Sequence, residues 1–254
     1  VPAHLAPSAV LALLALAGLW AGAQNALAGG GSFITLPALM LTGLDARAAN
    51  ITSTVALFPG QLTTGLRGRE FAQGAQGLSF RALTVISLVG GGFGAALLLM
   101  TPSSVFAHMV PWLVLVATAA FAWGSFGPGV RRAERRLAPW LAGALQFGIA
   151  VYGGYFGGGI GFLMLAVMTL AALPVRSAAA TKNMLAAAMN FTAVVVFLFS
   201  GEVRWLSGLV LGLGAVVGGL AGAWMLKRVN ERVLRIVVIV IGVALTVGLF
   251  VRGP

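Results

Sequence analysis

Lys182 is the only basic residue that the sequence sets well inside a long apolar stretch, and its neighbours are polar too: Thr181 and Asn183 flank it and Asn190 follows. An ammonium group at the centre of a bilayer costs about 2.5–3.5 kcal/mol on insertion scales, so it persists where a cavity or counter-charge relieves it. Two readings follow. Lys182 lies about two turns into its stretch, near enough to an end for its stem to carry the charge out to the interface. Alternatively it faces a polar cavity and meets an anion there. An earlier stretch opens on a second polar set, Asn50, Thr52, Ser53 and Thr54. Hydroxyls and amides suit the oxygen atoms of a small anion, although Ser and Thr in membrane helices also bond a preceding carbonyl or join helices together.

Backbone groups supply the other candidates. Gly29-Gly30-Gly31 and Gly157-Gly158-Gly159 interrupt apolar runs, and a triple glycine is a very poor helix interior. The chain should break there, with Ser32 as the N-cap of a short helix after the first break. Helix N-termini following such breaks can offer free amides to an anion. Gln24 and Asn25 stand just before the first break.

Catalytic chemistry is poorly supplied. Asp45, Glu70, Glu134, Glu202 and Glu231 all fall in or beside connections, and His4 and His108 lie at a terminus and beside a connection. That leaves no buried carboxylate pair, no His–carboxylate metal cluster and, with no cysteine, no thiolate chemistry. No metal or other cofactor is expected. A membrane-embedded enzyme is therefore a distant alternative to a transporter or a passive anion channel.

The elements that must position these residues are membrane spans. Of 254 residues, 59% are hydrophobic and 8% charged, against about 25% charged in soluble domains. The pattern predicts a helix to about Ala28, a short half-helix from Ser32 to Thr42, and spans over Ala46–Leu66, Phe80–Met100, Val105–Phe126 and Leu137–Tyr155. A second short piece over Ile160–Ala172 follows the second break, and then spans over Val175–Ser200, Trp205–Leu226 and Val229–Val251. The first stretch, Ser8 to Ala28, lacks a basic leader and runs on into more apolar chain, so it reads as a span and not a cleaved signal.

The chain aligns with itself. LAGGGSFITLPALMLTGLDARAANITSTVAL matches YFGGGIGFLMLAVMTLAALPVRSAAATKNMLAA, which puts Arg47 on Arg176, Thr52 on Thr181, Ser53 on Lys182 and Thr54 on Asn183. VGGGFGA at Val89–Ala95 likewise matches VGGLAGA at Val217–Ala223. The organisation is a first membrane repeat over 1–126, a basic linker over 127–138 and a second repeat over 139–254. Equivalent loops carry opposite charge: Arg67–Arg81 is basic where Gly201–Arg204 is balanced, and Thr101–Ser104 is neutral where Lys227–Arg235 is basic. Lys and Arg accumulate on the cytoplasmic side. The repeats should therefore be inverted, each with a glycine-broken pair and three full crossings, the linker cytoplasmic and both termini periplasmic in a bacterial inner membrane. The net charge of +11 is explained by cytoplasmic retention and by membrane lipid headgroups, without nucleic acid.

At its glycine breaks the chain resembles the TauE/SafE family of sulfite and organosulfonate exporters, from about Ala12 to Val251. The resemblance rests on AGGGSFITLPALMLTGLDARAANITSTVALFPG in the first half, and on GGYFGGGIG and TKNMLAAAMNFTAVVVFLFSGEVRW in the second. It implies transport of a small sulfur- or carbon-containing anion without a cofactor. The second half departs from a commoner threonine-serine pattern by carrying Lys182, and it lacks an equivalent of Pro37. Inverted repeats with broken helices are the architecture of secondary transporters. The expected site lies near the midplane between the breaks, with Thr52, Ser53, Thr181, Lys182 and Asn183 around one small anion. The oligomeric state stays open.

Overall fold

A computed structural model gives the fold for residues 6–27, 30–126, 137–161, 163–164, 168, 173–225 and 231–252. Among these the chain is helical, with α1 (Pro7–Leu27), α2 (Ser32–Leu41), α3 (Ala46–Arg67), α4 (Phe80–Met100), α5 (Ser103–Phe126), α6 (Pro139–Tyr155), α7 (Val175–Leu198), α8 (Trp205–Met225) and α9 (Glu231–Arg252). A short 3₁₀ turn, Arg69–Phe71, and an isolated bridge between Ala75 and Leu78 shape the α3–α4 connection. Of the half-helix expected over 160–172, positions 160, 161, 163, 164 and 168 are described, and all five are helical. The linker positions 127–136 and Gly29 lie outside the described residues.

Among the described residues, five stretches are long and apolar enough to cross a membrane: Pro7–Asn25, Phe80–Met100, Ser103–Trp123, Arg176–Leu198 and Trp205–Gly222. The protein is a multi-pass membrane bundle. Helix α3 misses that standard because it carries Asn50–Thr54, Gln61, Thr63, Thr64 and Arg67, and its polar N-terminal part is buried inside the bundle.

Lipid tails are as apolar as leucine, so helices in a membrane associate through close packing. Glycine supplies it here. A Cβ added at Gly18, Gly22, Gly218 or Gly222 would overlap the backbone of Leu211, Ala215, Leu19 or Ala23. These contacts advance together along both helices, so α1 and α8 run parallel. Gly94 of α4 presses in the same way on Val151 of α6, and Gly90 lies against Ala150 and the Phe147 carbonyl. The two pairs are one contact with the halves exchanged: Gly90 meets Phe147 as Gly218 meets Leu19, and Gly94 meets Val151 as Gly222 meets Ala23. The first helix of each half thus packs on the fourth helix of the other.

Two further pairs are antiparallel and lie across the axis relating the halves. In one, Gly65, Gln61 and Phe58 of α3 meet Asn183, Asn190 and Phe191 of α7. In the other, Trp112 and Thr118 of α5 meet Phe250 and Gly242 of α9. Direction follows from these contacts. Helix α3 starts at Asp45 on the face that also holds Thr101, Ser103 and Glu202. Helix α8 starts on that face, its parallel partner α1 therefore does too, and α2 returns there to Asp45. Segment 139–174 begins and ends on the opposite face, where the Leu137 amide donates to Gln76 and Thr181 bonds Gln73. Each broken segment enters and leaves on one side, and the halves are inverted.

Local signals fix the ends. Asp45 caps α3, accepting from the amides of Arg47 and Ala48 at 3.1 Å each, and Ser79 caps α4 by accepting from Ala82. Burial works to raise the Asp45 carboxyl, but the Ser103 hydroxyl, those two amides and the Arg47 charge together hold it below its ordinary value. Ser32 does not cap α2. The N-cap is Gly31, which has no side chain to cap with, and the Ile34 and Thr35 amides bond the Gly31 carbonyl instead.

The glycine contact makes a sharp prediction. Gly218→Ala places a methyl into the Leu19 carbonyl and should destabilise the protein by about 1–3 kcal/mol, as overpacking does. Gly219→Ala, whose added methyl comes no nearer than 3.8 Å to Gly22, should stay within about 0.5 kcal/mol of the parent. Thermal unfolding in detergent separates the two; equal losses would mean that α1 and α8 do not meet through Gly218.

Candidate functional site

The first break is closed by side chains. Asn25 Oδ1 accepts from the Gly31 amide at 2.7 Å and Gln24 Nε2 donates to the Gly30 carbonyl at 3.3 Å. Gly30 adopts φ +80°, a left-handed turn that suits glycine. Thr35, one turn into α2, lies 2.5 Å from Ser53 Oγ, so Ser53 is spent on holding α2 to α3. Inside a membrane each freed backbone group needs such a partner.

The second break is built differently. Gly157 and Gly159 both take left-handed φ, +74° and +75°. Asn50 Nδ2 donates to the Tyr155 carbonyl at 3.1 Å, and Thr54 Oγ1 lies beside Gly157, though its own hydrogen goes to the Asn50 carbonyl. The ring of Phe33, which directly follows the first break, lies against Gly158 and Gly159. The two breaks therefore meet in the core, with α3 alongside. The amides of Gly157, Gly158 and Gly159 donate to no described group.

The polar sets on α3 and α7 do not form one shell. These helices cross at Gln61 and Asn190, whose side chains bond at 2.5 Å. Thr52 and Thr181 each lie nine residues from that crossing on helices of opposite direction. At about 1.5 Å per residue they are roughly 25 Å apart along the bundle. Each is fully buried and clasps a connection of the other half: Thr52 Oγ1 accepts from the Arg204 amide at 3.1 Å, and Thr181 Oγ1 accepts from the Gln73 amide at 3.0 Å and donates to its carbonyl. The expectation of Thr52, Ser53, Thr181, Lys182 and Asn183 around one anion meets a geometric obstacle: an inverted repeat puts equivalent residues at opposite depths. What the fold brings together is Asn50 and Thr54 at the start of the second break, and Lys182 beside Gly161 just after it.

Lys182 is half-buried, its stem and ammonium running past Gly161, where an added Cβ would sit 3.6 Å from Nζ. Among the described residues it has no hydrogen-bond or ion-pair partner. Asn183 sits on the α3 side, its carbonyl against Gly65. Asn190 is buried and its Oδ1 accepts from nothing described. No described group of three or more His, Asp or Glu side chains comes together as a metal site. Sequence reasoning missed Thr35, Tyr155 and Gln61. Only Gln61 had a signal: continuing the internal alignment nine residues beyond Thr52 and Thr181 puts Gln61 on Asn190.

An inverted pair of helical repeats whose broken segments meet at the core defines a membrane protein of transporter architecture. A family model for the sulfite exporter TauE/SafE family matches residues 14–249, and the chain belongs to that family of membrane transporters. It is 30% identical over 242 residues to a probable membrane transporter protein of Haemophilus influenzae, covering 93% of each chain. It is also 30% identical to the probable membrane transporter protein ORF9 of Sinorhizobium sp., over 94% of this chain and 92% of that one. The probable membrane transporter protein YfcA of Escherichia coli K12 is 25% identical over 94% of this chain and 89% of its own length. No solved structure matches the chain.

The threonine clasps predict paired, independent losses. Thr52→Val and Thr181→Val each strand a loop amide and should cost about 1–3 kcal/mol in unfolding experiments. The double variant should lose close to the sum, since the clasps lie at opposite ends of the bundle. A single variant as stable as the parent would mean its clasp holds nothing.

Proposed function

We propose that this chain is a secondary transporter that carries a small oxyanion, sulfite or an organosulfonate being the leading class, by alternating access across a bacterial inner membrane. The observation that carries the reading is Lys182. A half-buried ammonium inside a helix, with no described partner, keeps its hydration cost unless a counter-charge arrives, and an anionic substrate is that counter-charge. Asn183, next in sequence, is the neutral donor that would join it. The amides of Gly157–Gly159, which donate to no described group, come just before Gly161 and offer anion oxygens further donors. Binding by one ammonium and neutral donors leaves no tight permanent ion pair, so release stays possible. Orientation follows from charge: Arg67, Arg69 and Arg81 put the α3–α4 connection in the cytoplasm, which sets Asp45, Glu202 and both termini on the periplasmic side.

Lys182→Met keeps the length and removes the charge. Thermal-shift titration of the purified protein with sulfite, thiosulfate, sulfoacetate, taurine and simple carboxylates should find a stabilising anion, and the variant should bind it about tenfold more weakly, or about 1.4 kcal/mol. Unchanged affinity in a folded variant would return Lys182 to interfacial anchoring and remove it from the site.

Orientation has its own test in this cysteine-free chain. An impermeant thiol reagent on intact cells should label a Ser103→Cys variant and leave an Ala133→Cys variant untouched; the reverse pattern would invert the topology.

A further inference from the structure

Arg47 and Arg176 occupy equivalent places near the starts of α3 and α7, and each reaches the connection of the opposite half. On one face Arg47 holds Glu202 through two hydrogen bonds, Nε to Oε2 at 3.0 Å and Nη2 to Oε1 at 2.6 Å, while Nη1 donates to the Thr101 carbonyl at 2.8 Å. Its partners thus come from the α7–α8 and α4–α5 connections. On the other face the Arg176 guanidinium lies over the Phe71 ring, 3.7 Å from its centroid, in the α3–α4 connection. Directly behind each arginine, the Thr52 or Thr181 hydroxyl clasps the same connection. The two assemblies are one device built twice by the inverted repeat, with a carboxylate in one copy and an aromatic ring in the other.

The two copies are not equally tight. A bidentate guanidinium–carboxylate pair is directional and must break before its carriers part, whereas a cation over a ring tolerates sliding. Packing agrees with the chemistry. Behind Arg47, residues 48–54 are all buried, whereas in the equivalent stretch 177–183 Ser177, Ala179, Lys182 and Asn183 are only half-buried and Arg176 itself is exposed. Alternating access requires the halves to separate at one face while closing at the other, and the two arginine contacts bridge the halves at the two faces beside the threonine clasps.

We propose that Arg47–Glu202 and Arg176–Phe71 are the two opposed gates of this protein, and that their unequal chemistry rests the substrate-free molecule closed at the Arg47 face and ready to open at the Arg176 face. The proposal relies on the alternating-access reading above. Ala49 and Ala178, buried just inside the respective gates, are matched reporter positions in a chain without cysteine.

Purified protein without substrate is labelled with a hydrophilic thiol reagent in four backgrounds per reporter: parent, Glu202→Gln, Phe71→Leu and both together. In the parent, the Ala178→Cys variant should react faster than the Ala49→Cys variant. Glu202→Gln should raise the rate at Ala49→Cys by about threefold or more and lower the rate at Ala178→Cys; Phe71→Leu should do the opposite, because the two faces share one equilibrium. The double change should return both rates toward the parent's. Acceleration at one reporter without slowing at the other is local loosening and overturns the proposal, as do unchanged rates. If Glu202→Gln fails to fold, the Phe71→Leu arm decides alone. Because no substrate is present, reciprocal labelling in a protein that binds none of the tested anions would keep the gates and sink the anion reading. Saturable anion binding with unresponsive reporters would do the reverse.

Discussion

A helix interrupted inside a membrane leaves amides and carbonyls that water cannot reach, and their satisfaction is the constraint on which this structure depends. The first break meets it within its own repeat, through Asn25 on the Gly31 amide and Gln24 on the Gly30 carbonyl. At the second, Asn50 reaches across from the other repeat to the Tyr155 carbonyl. That crossing contact has a structural price, since each half must lie close enough to serve the other. Glycines in α1, α4 and α8 permit the approach by removing the side chains that would hold the backbones apart.

Inversion then governs the chemistry. Each pair of equivalent residues lies at opposite depths, so the repeat writes every device twice, once towards each face. Where both copies keep the same residue, as Thr52 and Thr181 do, the role is the same structural clasp on both sides. Where the copies diverge, the two faces become unlike. Ser53 is joined to Thr35, whereas its equivalent Lys182 runs past Gly161 as a charge without a described partner. Arg47 meets a carboxylate and Arg176 an aromatic ring. A transporter with identical faces would have no preferred orientation; substitution within the repeat is the simplest way to supply one.

The sequence by itself determined the membrane class, the helices to within a few residues, both glycine breaks and the inversion, since these rest on composition, local propensity and loop charge, all of which are written along the chain. It also singled out Gln24, Asn50, Thr52, Ser53, Thr54, Thr181 and Asn190 among the buried polar residues, though not Thr35, Ser87 or Gln146. Only the tertiary structure decided which of them share a place. Thr52 and Thr181 matched in type and spacing, which suggested one shell, yet antiparallel α3 and α7 cross at Gln61 and Asn190 and carry the two threonines to opposite ends. Ser32 looked like a cap, but the helix starts one residue earlier, at Gly31, whose carbonyl takes the Ile34 and Thr35 amides. Arg47 and Glu202 are separated by 155 positions, and no local pattern announces a pair formed by two connections meeting on one face. Propensity and hydropathy act between near neighbours and are legible in order; hydrogen-bond partners are chosen by whatever the packed helices bring within 3 Å or so, and that choice exists only in the folded bundle.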